Sequence, residues 1–141
     1  MLLQFEKTHA DAVLPAKNHA TDTGMDVTCV EDFVIPAGGS TVVNVGLKVA
    51  HIEPGWWFKI EGRSGLGFKH GIMPHPGIID NGYRGDCAIK LYNLSTKNYI
   101  GSAGDRIAQF VAYANHSVTV HEGVANDDSA RGDKGFGSSG K

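Results

Sequence analysis

Several things are scarce in this chain. Only two of its 141 residues are cysteine, Cys29 and Cys87, far apart and without a CxxC pair. That excludes a disulfide scaffold and a thiolate zinc cluster, and leaves small buried thiols of a reducing compartment as the expectation. No apolar run approaches the roughly 18 residues of a membrane helix, and no signal-peptide pattern opens the sequence. A cytoplasmic protein without membrane association is therefore expected. Charge of one sign is lacking too: 13 Lys and Arg against 15 Asp and Glu leave a net −2. This excludes a protein that coats nucleic acid through bulk charge, while leaving room for a few arginines gathered at one anionic site. The seven histidines show no HxxxH spacing, so a helical zinc site is not expected. There is no internal repeat and no heptad.

Glycine, by contrast, is abundant. It fills 19 positions, nearly double the usual share of about 7%. Glycines spread along a chain mean many turns, and many turns favour short strands over helices. LLQF opens as a strand, and Pro15 rules out a long helix after it. Strands are expected within TDTGMDVTCV, on both sides of the Pro36–Gly39 turn, in GWWFKI, after Gly85, in RIAQFVAYA and in SVTVHEGV. Cys87, Ile89 and Leu91 alternate with Ala88, Lys90 and Tyr92, the period of a strand with one buried face. The one helix expected is SGLGFKHG, about two turns long, with Ser64 capping its start and Gly71 its end. The fold class is therefore all-β, a β-sandwich or jelly roll. It should occupy residues 1–125, followed by a flexible Gly-rich arm over 126–141.

Three stretches carry chemistry. In EGRSGLG, Arg63 and Ser64 precede the helix, where a charged fork, a hydroxyl and unpaired N–H groups suit a phosphate. In PGIIDNGYRGD, Asn81-Gly82 predicts a type I′ hairpin that places Asp80 and Tyr83 on either side of its turn. The tail, GFGSSGK, satisfies GxxxxGK, yet no strand precedes it and no helix follows. A P-loop is excluded, and what remains is glycine-rich backbone suited to an anion.

Together these pieces resemble the trimeric dUTPase family, whose five motifs occur in order. They are TGMDV (23–27), GRSGLG (62–67), GIIDNGYRGD (77–86), GDRIAQFV (104–111) and RGDKGFGSSG (131–140). The resemblance implies a jelly-roll homotrimer with shared active sites, hydrolysing dUTP to dUMP and pyrophosphate. That reaction limits uracil in DNA and supplies dUMP for dTMP synthesis. It implies Asp80 as the general base that activates water against the α-phosphorus. Uracil would be held by backbone of Gly77, Ile78 and Ile79, and Tyr83 would stack on the deoxyribose. Arg63, Ser64, Gly65 and Gln109 would hold phosphates. Asp26 would position waters around a Mg²⁺ carried mainly by the phosphates. From the arm, Arg131 would reach a phosphate, Phe136 would cover uracil, and Gly137 and Ser138 would hold the γ end. The chain departs from the pattern at Thr23, Val27, Glu61-Gly62 and Pro74–Pro76. Two alternatives accompany this reading. One is a dCTP deaminase of the same fold, disfavoured because Lys90 stands where that family carries a catalytic glutamate. The other is a nucleotide-responsive regulatory protein.

Overall fold

Glycine and proline cut the chain into short pieces, and in the computed structural model nearly all of those pieces are strands. The structure describes residues 1–126, 128–137 and 140. In order they are β1 (Leu3–Lys7), β2 (Met25–Thr28), β3 (Phe33–Ile35), β4 (Ser40–Ile52), β5 (Trp56–Glu61), α1 (Ser64–His70), β6 (Ile72–Pro74), β7 (Gly77–Ile79), β8 (Asp86–Asn93), β9 (Tyr99–Gly101) and β10 (Arg106–Ala114). One sheet runs β1-β4-β8-β6, a second runs β2-β10-β5-β7, and β3 pairs with β9. Every pairing is antiparallel. This is the all-β jelly roll expected, with one short helix.

The inward faces of the two sheets form the core. On β8, Cys87, Ile89, Leu91 and Asn93 are buried, while Asp86, Ala88 and Lys90 are exposed. On β5, Phe58 is fully buried and meets Phe110 of β10 at 4.7 Å between ring centroids, with Phe5 near 6 Å from both. Burying side chains of this size contributes roughly 1.5–3 kcal/mol each. Asn93 is the one buried polar residue described, and its amide is fully engaged. It donates to the carbonyls of Ile35 (3.0 Å) and Lys97 (2.7 Å) and accepts from Ser95. Gly46, at φ +66°, lies so close to the loop before β2 that a Cβ would sit 2.7 Å from His9 Cβ. No described helix is long and apolar enough to cross a membrane.

Three local expectations fail, each for a tertiary reason. Asn81-Gly82 does not form a type I′ hairpin, since neither residue has positive φ. Tyr83 N–H still closes a turn on the Asp80 carbonyl at 2.9 Å. But β7 pairs with β5 while β8 pairs with β4 and β6, so this turn passes the chain from one sheet to the other. Ser64 is not the cap of α1. Arg63 is, in extended conformation and without a side-chain capping bond, whereas Gly71 ends the helix in the left-handed region as expected. SVTVHEGV is not a strand: β10 ends at Ala114, and Val118, Val120 and Val124 are 78%, 86% and 98% exposed. Alternation specifies a face, and a ladder also needs a neighbouring strand, which a single chain does not supply here.

Both cysteines are free and buried. Burial, then the Asp86 carboxylate, pushes the Cys87 thiol from its ordinary 9.0 up to about 12. The fold thus favours the protonated thiol. Its contribution to stability is whole below pH 9 and is lost as pH rises toward 12, because the unfolded chain ionises first. Over that pH range, Tm measured by circular dichroism should fall less steeply for Cys87→Ala than for the parent. Parallel slopes would refute the assignment.

Candidate active site

The site is built around one row of the second sheet. Gln109 of β10 stands opposite Asp26 of β2 on one side and opposite Glu61 of β5 on the other. Two residues past Glu61 the chain reaches Arg63, which leans back over Asp26. Arg63 Nε donates to Asp26 Oδ1 at 2.9 Å and its Nη2 to Oδ2 at 3.4 Å, while Nη1 donates to the Arg106 carbonyl at 3.0 Å. Arg106 Nη1 adds a bond to Asp26 Oδ2 at 3.2 Å and another to Asn18 Oδ1 at 2.9 Å. Asn18 Nδ2 completes the group at 2.9 Å from Asp26 Oδ2. The Asp26 side chain is 15% exposed, so these bonds are less screened than those of a surface pair.

Beside this network lies a cavity of about 340 Å³ lined by Asn18, Asp22, Thr23, Gly24, Asp26, Arg63, Ser64, Gly65 and Gln109. A second hollow of about 520 Å³ shares Arg63, Ser64 and Gln109 and is bounded by Phe68, which is 94% exposed. Gln109 is fixed between them, its Nε2 donating to the Gly62 carbonyl at 2.7 Å. A Cβ on Gly24 would lie 1.8 Å from Gln109 Oε1, so glycine there is a condition of that placement. The chain thus brings Asp26, Arg63, Ser64, Gly65 and Gln109 together around one polar cavity.

Asp80 and Tyr83 lie elsewhere. β7 is the edge of its sheet, so backbone groups of Gly77, Ile78 and Ile79 on its far side have no strand partner. Asp80 follows directly and is exposed. The Tyr83 hydroxyl donates to the Asp86 carbonyl at 2.8 Å, and its ring lies over Gly85, where a Cβ would be 2.3 Å from the hydroxyl oxygen. Ile79 stands opposite Phe58. Arg63 lies beyond the other end of β5, five residues after Phe58 and two past Glu61, at most roughly 17 Å of extended chain. Within one chain, Asp80 and Tyr83 thus lie toward one end of β5 and Arg63 and Gln109 toward the other.

The arm residues Arg131, Phe136 and Gly137 are exposed and line neither hollow. Arg131 Nε donates to the Lys134 carbonyl at 2.9 Å. Ser138 lies outside the described residues. Among those described, no three His, Cys, Asp or Glu side chains cluster as a metal site. Lys90 is exposed on β8, its Nζ 5.4 Å from the centre of the Tyr92 ring. Sequence pattern alone assigns no role to Arg106, Asn18, Asp22 or Gly24. Arg106 and Gly24 stood inside quoted motifs, but Asn18 and Asp22 belong to an irregular stretch with no local signal.

The fold agrees with that of known proteins the chain resembles. The dUTPase family model matches residues 10–140. A deoxyuridine 5'-triphosphate nucleotidohydrolase of Wolinella succinogenes is 41% identical, over 100% of this chain and 95% of its own length. That of Paramecium bursaria Chlorella virus 1 is 37% identical, over 98% and 97%. Among solved structures, a Staphylococcus bacteriophage 80alpha dUTPase with dUPNHPP superposes with a TM-score of 0.84 at 28% identity, covering 99% of both chains. Fold and likeness together define a nucleotide hydrolase of jelly-roll architecture. The chain belongs to the dUTPase family, and its activity is that of a dUTP diphosphatase.

Gly24→Ala tests the corner without touching a charge. Displacing Gln109 should raise KM for dUTP about 10-fold, the worth of one hydrogen bond to a charged group, with a near-native far-UV spectrum. An unchanged KM would show that the glycine does not set Gln109.

Proposed function

We propose that Asp80 is the general base of dUTP hydrolysis and that Asp26 is not. The observation that carries this reading is the contrast between the two carboxylates. Asp26 accepts four hydrogen bonds from two arginines and an asparagine. The Asp80 carboxylate is exposed and makes no hydrogen bond or ion pair among the described residues. A base must be free to accept a proton from water, and an aligned carboxylate raises the reactivity of water about 10²–10⁴-fold. Water so activated attacks the α-phosphorus, and pyrophosphate leaves with dUMP as the second product.

Substrate selection follows from β7 and Tyr83. The open backbone edge at Gly77, Ile78 and Ile79 offers donors and acceptors matched to uracil and mismatched to cytosine, whose pattern is reversed. The Tyr83 ring, anchored at its hydroxyl, packs against the deoxyribose and leaves no space for a 2′-hydroxyl. Arg63, Ser64, Gly65 and Gln109 receive the phosphates, with cationic and amide donors concentrated where the charge lies.

The corner also fits a Mg²⁺ carried chiefly by the triphosphate. Asp26 Oδ2 accepts three bonds, but Oδ1 accepts only one, leaving a lone pair for a hydrogen bond from a metal-bound water. Once bound, the ion neutralises phosphate charge and fixes the chain for in-line displacement. Arg63 would hold the triphosphate, and Asp26 would hold the waters of the ion. From the arm, Arg131 meets a phosphate, Phe136 covers the base, and Gly137 with Ser138 closes over the γ end.

The two half-sites, at opposite ends of β5, meet in this reading only between subunits of a homotrimer. Asp80 and Tyr83 of one copy face Arg63 and Gln109 of another, and the exposed valines of 117–124 pack across the boundary. A jelly-roll domain over 1–125 and a closing arm over 126–141 follow from the same reading.

Asp80→Asn should lower kcat for dUTP about 10²–10⁴-fold, measured as pyrophosphate release with Mg²⁺. Parent-like turnover would overturn the assignment. Shared sites add a sharper outcome. Asp80→Asn and Arg63→Ala, each nearly inactive alone, should regain about a quarter of parent activity when unfolded together in equal amounts and refolded, since one site in four draws an intact half from each. No recovery would place both residues in sites of a single chain.

A further inference from the structure

We propose that Asn81 is a positioning residue that sets the direction of Asp80 and Tyr83, an inference resting on the roles given to those two residues above. Asn81 follows Asp80 directly and precedes Tyr83 by two. Its Nδ2 reaches three carbonyls of the turn that joins β4 to β5: Glu53 at 2.8 Å, Trp56 at 2.9 Å and Ile52 at 3.2 Å. Two amide hydrogens serve three acceptors, so one hydrogen is shared. Only the amide nitrogen suits this place, since an oxygen turned to three carbonyl oxygens would be repelled.

The same short segment is also braced from within. Arg84 Nη1 donates to the Asn81 carbonyl at 2.8 Å and to the Tyr83 carbonyl at 2.6 Å. Tyr83 N–H donates to the Asp80 carbonyl at 2.9 Å. None of these bonds uses the Asp80 carboxylate, which stays free for water. The clamp matters because, apart from the Tyr83 hydroxyl bond to the Asp86 carbonyl, no other described side-chain bond ties residues 80–83 to the sheets. β7 is only three residues long and pairs on one side, and the next strand belongs to the other sheet. The direction of the Asp80 side chain is therefore inherited from Asn81 and the β4–β5 turn. A base displaced by about 1 Å loses on the order of 10²-fold in rate, with little effect on how tightly substrate binds.

Asn81→Asp keeps the shape and replaces the donor with an oxygen facing three carbonyls. Asn81→Ser, a milder change, shortens the donor and leaves one hydrogen. In the full-length enzyme with Mg²⁺, kcat for dUTP per folded protein should fall about 30- to 100-fold in the first variant and about 10-fold in the second, with KM within about threefold. The preference for dUTP over UTP should fall in both as Tyr83 loosens. Folded fraction is measured by circular dichroism at the assay temperature, so a variant that merely unfolds is recognised. Two outcomes would overturn the proposal. One is kcat per folded protein within twofold of the parent, with unchanged preference, in both variants. The other is a loss confined to KM. Asp80→Asn assayed alongside separates the two readings. If it turned over at the parent rate, the role of Asp80 would fall, and the dUTP-to-UTP preference of Asn81→Ser alone would decide the clamp.

Discussion

The carboxylate of Asp26 is the joint on which the functional corner depends. It accepts from Arg63 beyond β5, from Arg106 at the start of β10 and from Asn18 in the irregular stretch before β2. Two guanidinium groups so close would repel each other without an anion between them. With Asp26 in place they are gathered and oriented before any ligand arrives, on a chain whose net charge is −2. The gathering of two arginines here owes nothing to overall composition. It arises because strand pairing puts Asp26, Gln109 and Glu61 in one row, from which Arg63 is two residues away.

The same sheet explains why the two groups of candidate site residues lie apart in one chain. Arg63 leaves β5 at one end and Asp80 leaves β7 near the other, so the antiparallel pairing that aligns the two strands also separates their functional ends. A second subunit resolves this in the proposed trimer. The division has a physical merit: each half is held by its own rigid contacts, Asp26 for the arginines and Asn81 for the turn, and neither must distort to meet the other.

Much of the fold was legible in local pattern. The alternation of Cys87, Ile89 and Leu91 matches the buried face of β8, and SGLGFKH is the helix, ended by Gly71. The failures share one cause. Asn81-Gly82 has the local preference of a hairpin, but three distant carbonyls take the Asn81 amide and the chain changes sheets. Ser64 has the preference of a cap, but Arg63 takes that place while its guanidinium binds Asp26. Val118 and Val120 alternate as a strand does, with no strand beside them. Of the site, Asp26, Arg63, Ser64, Gly65 and Gln109 were readable from motif resemblance and do converge. Asn18 and Asp22 were not, because contact across a loop leaves no trace in spacing.

What the sequence by itself determined is the kind of structure and the inventory of chemistry. Glycine spacing and period-two alternation specify short antiparallel strands, and the five motifs specify the family. Both are encoded in residues near one another in the chain. Only the tertiary structure decided which carboxylate is engaged and which is free, and toward which end of β5 each group of candidate residues lies. It also decided what Asn81 does. Those depend on hydrogen bonds between residues 25 to 80 positions apart, and the geometry of such bonds exists only once the sheets have packed.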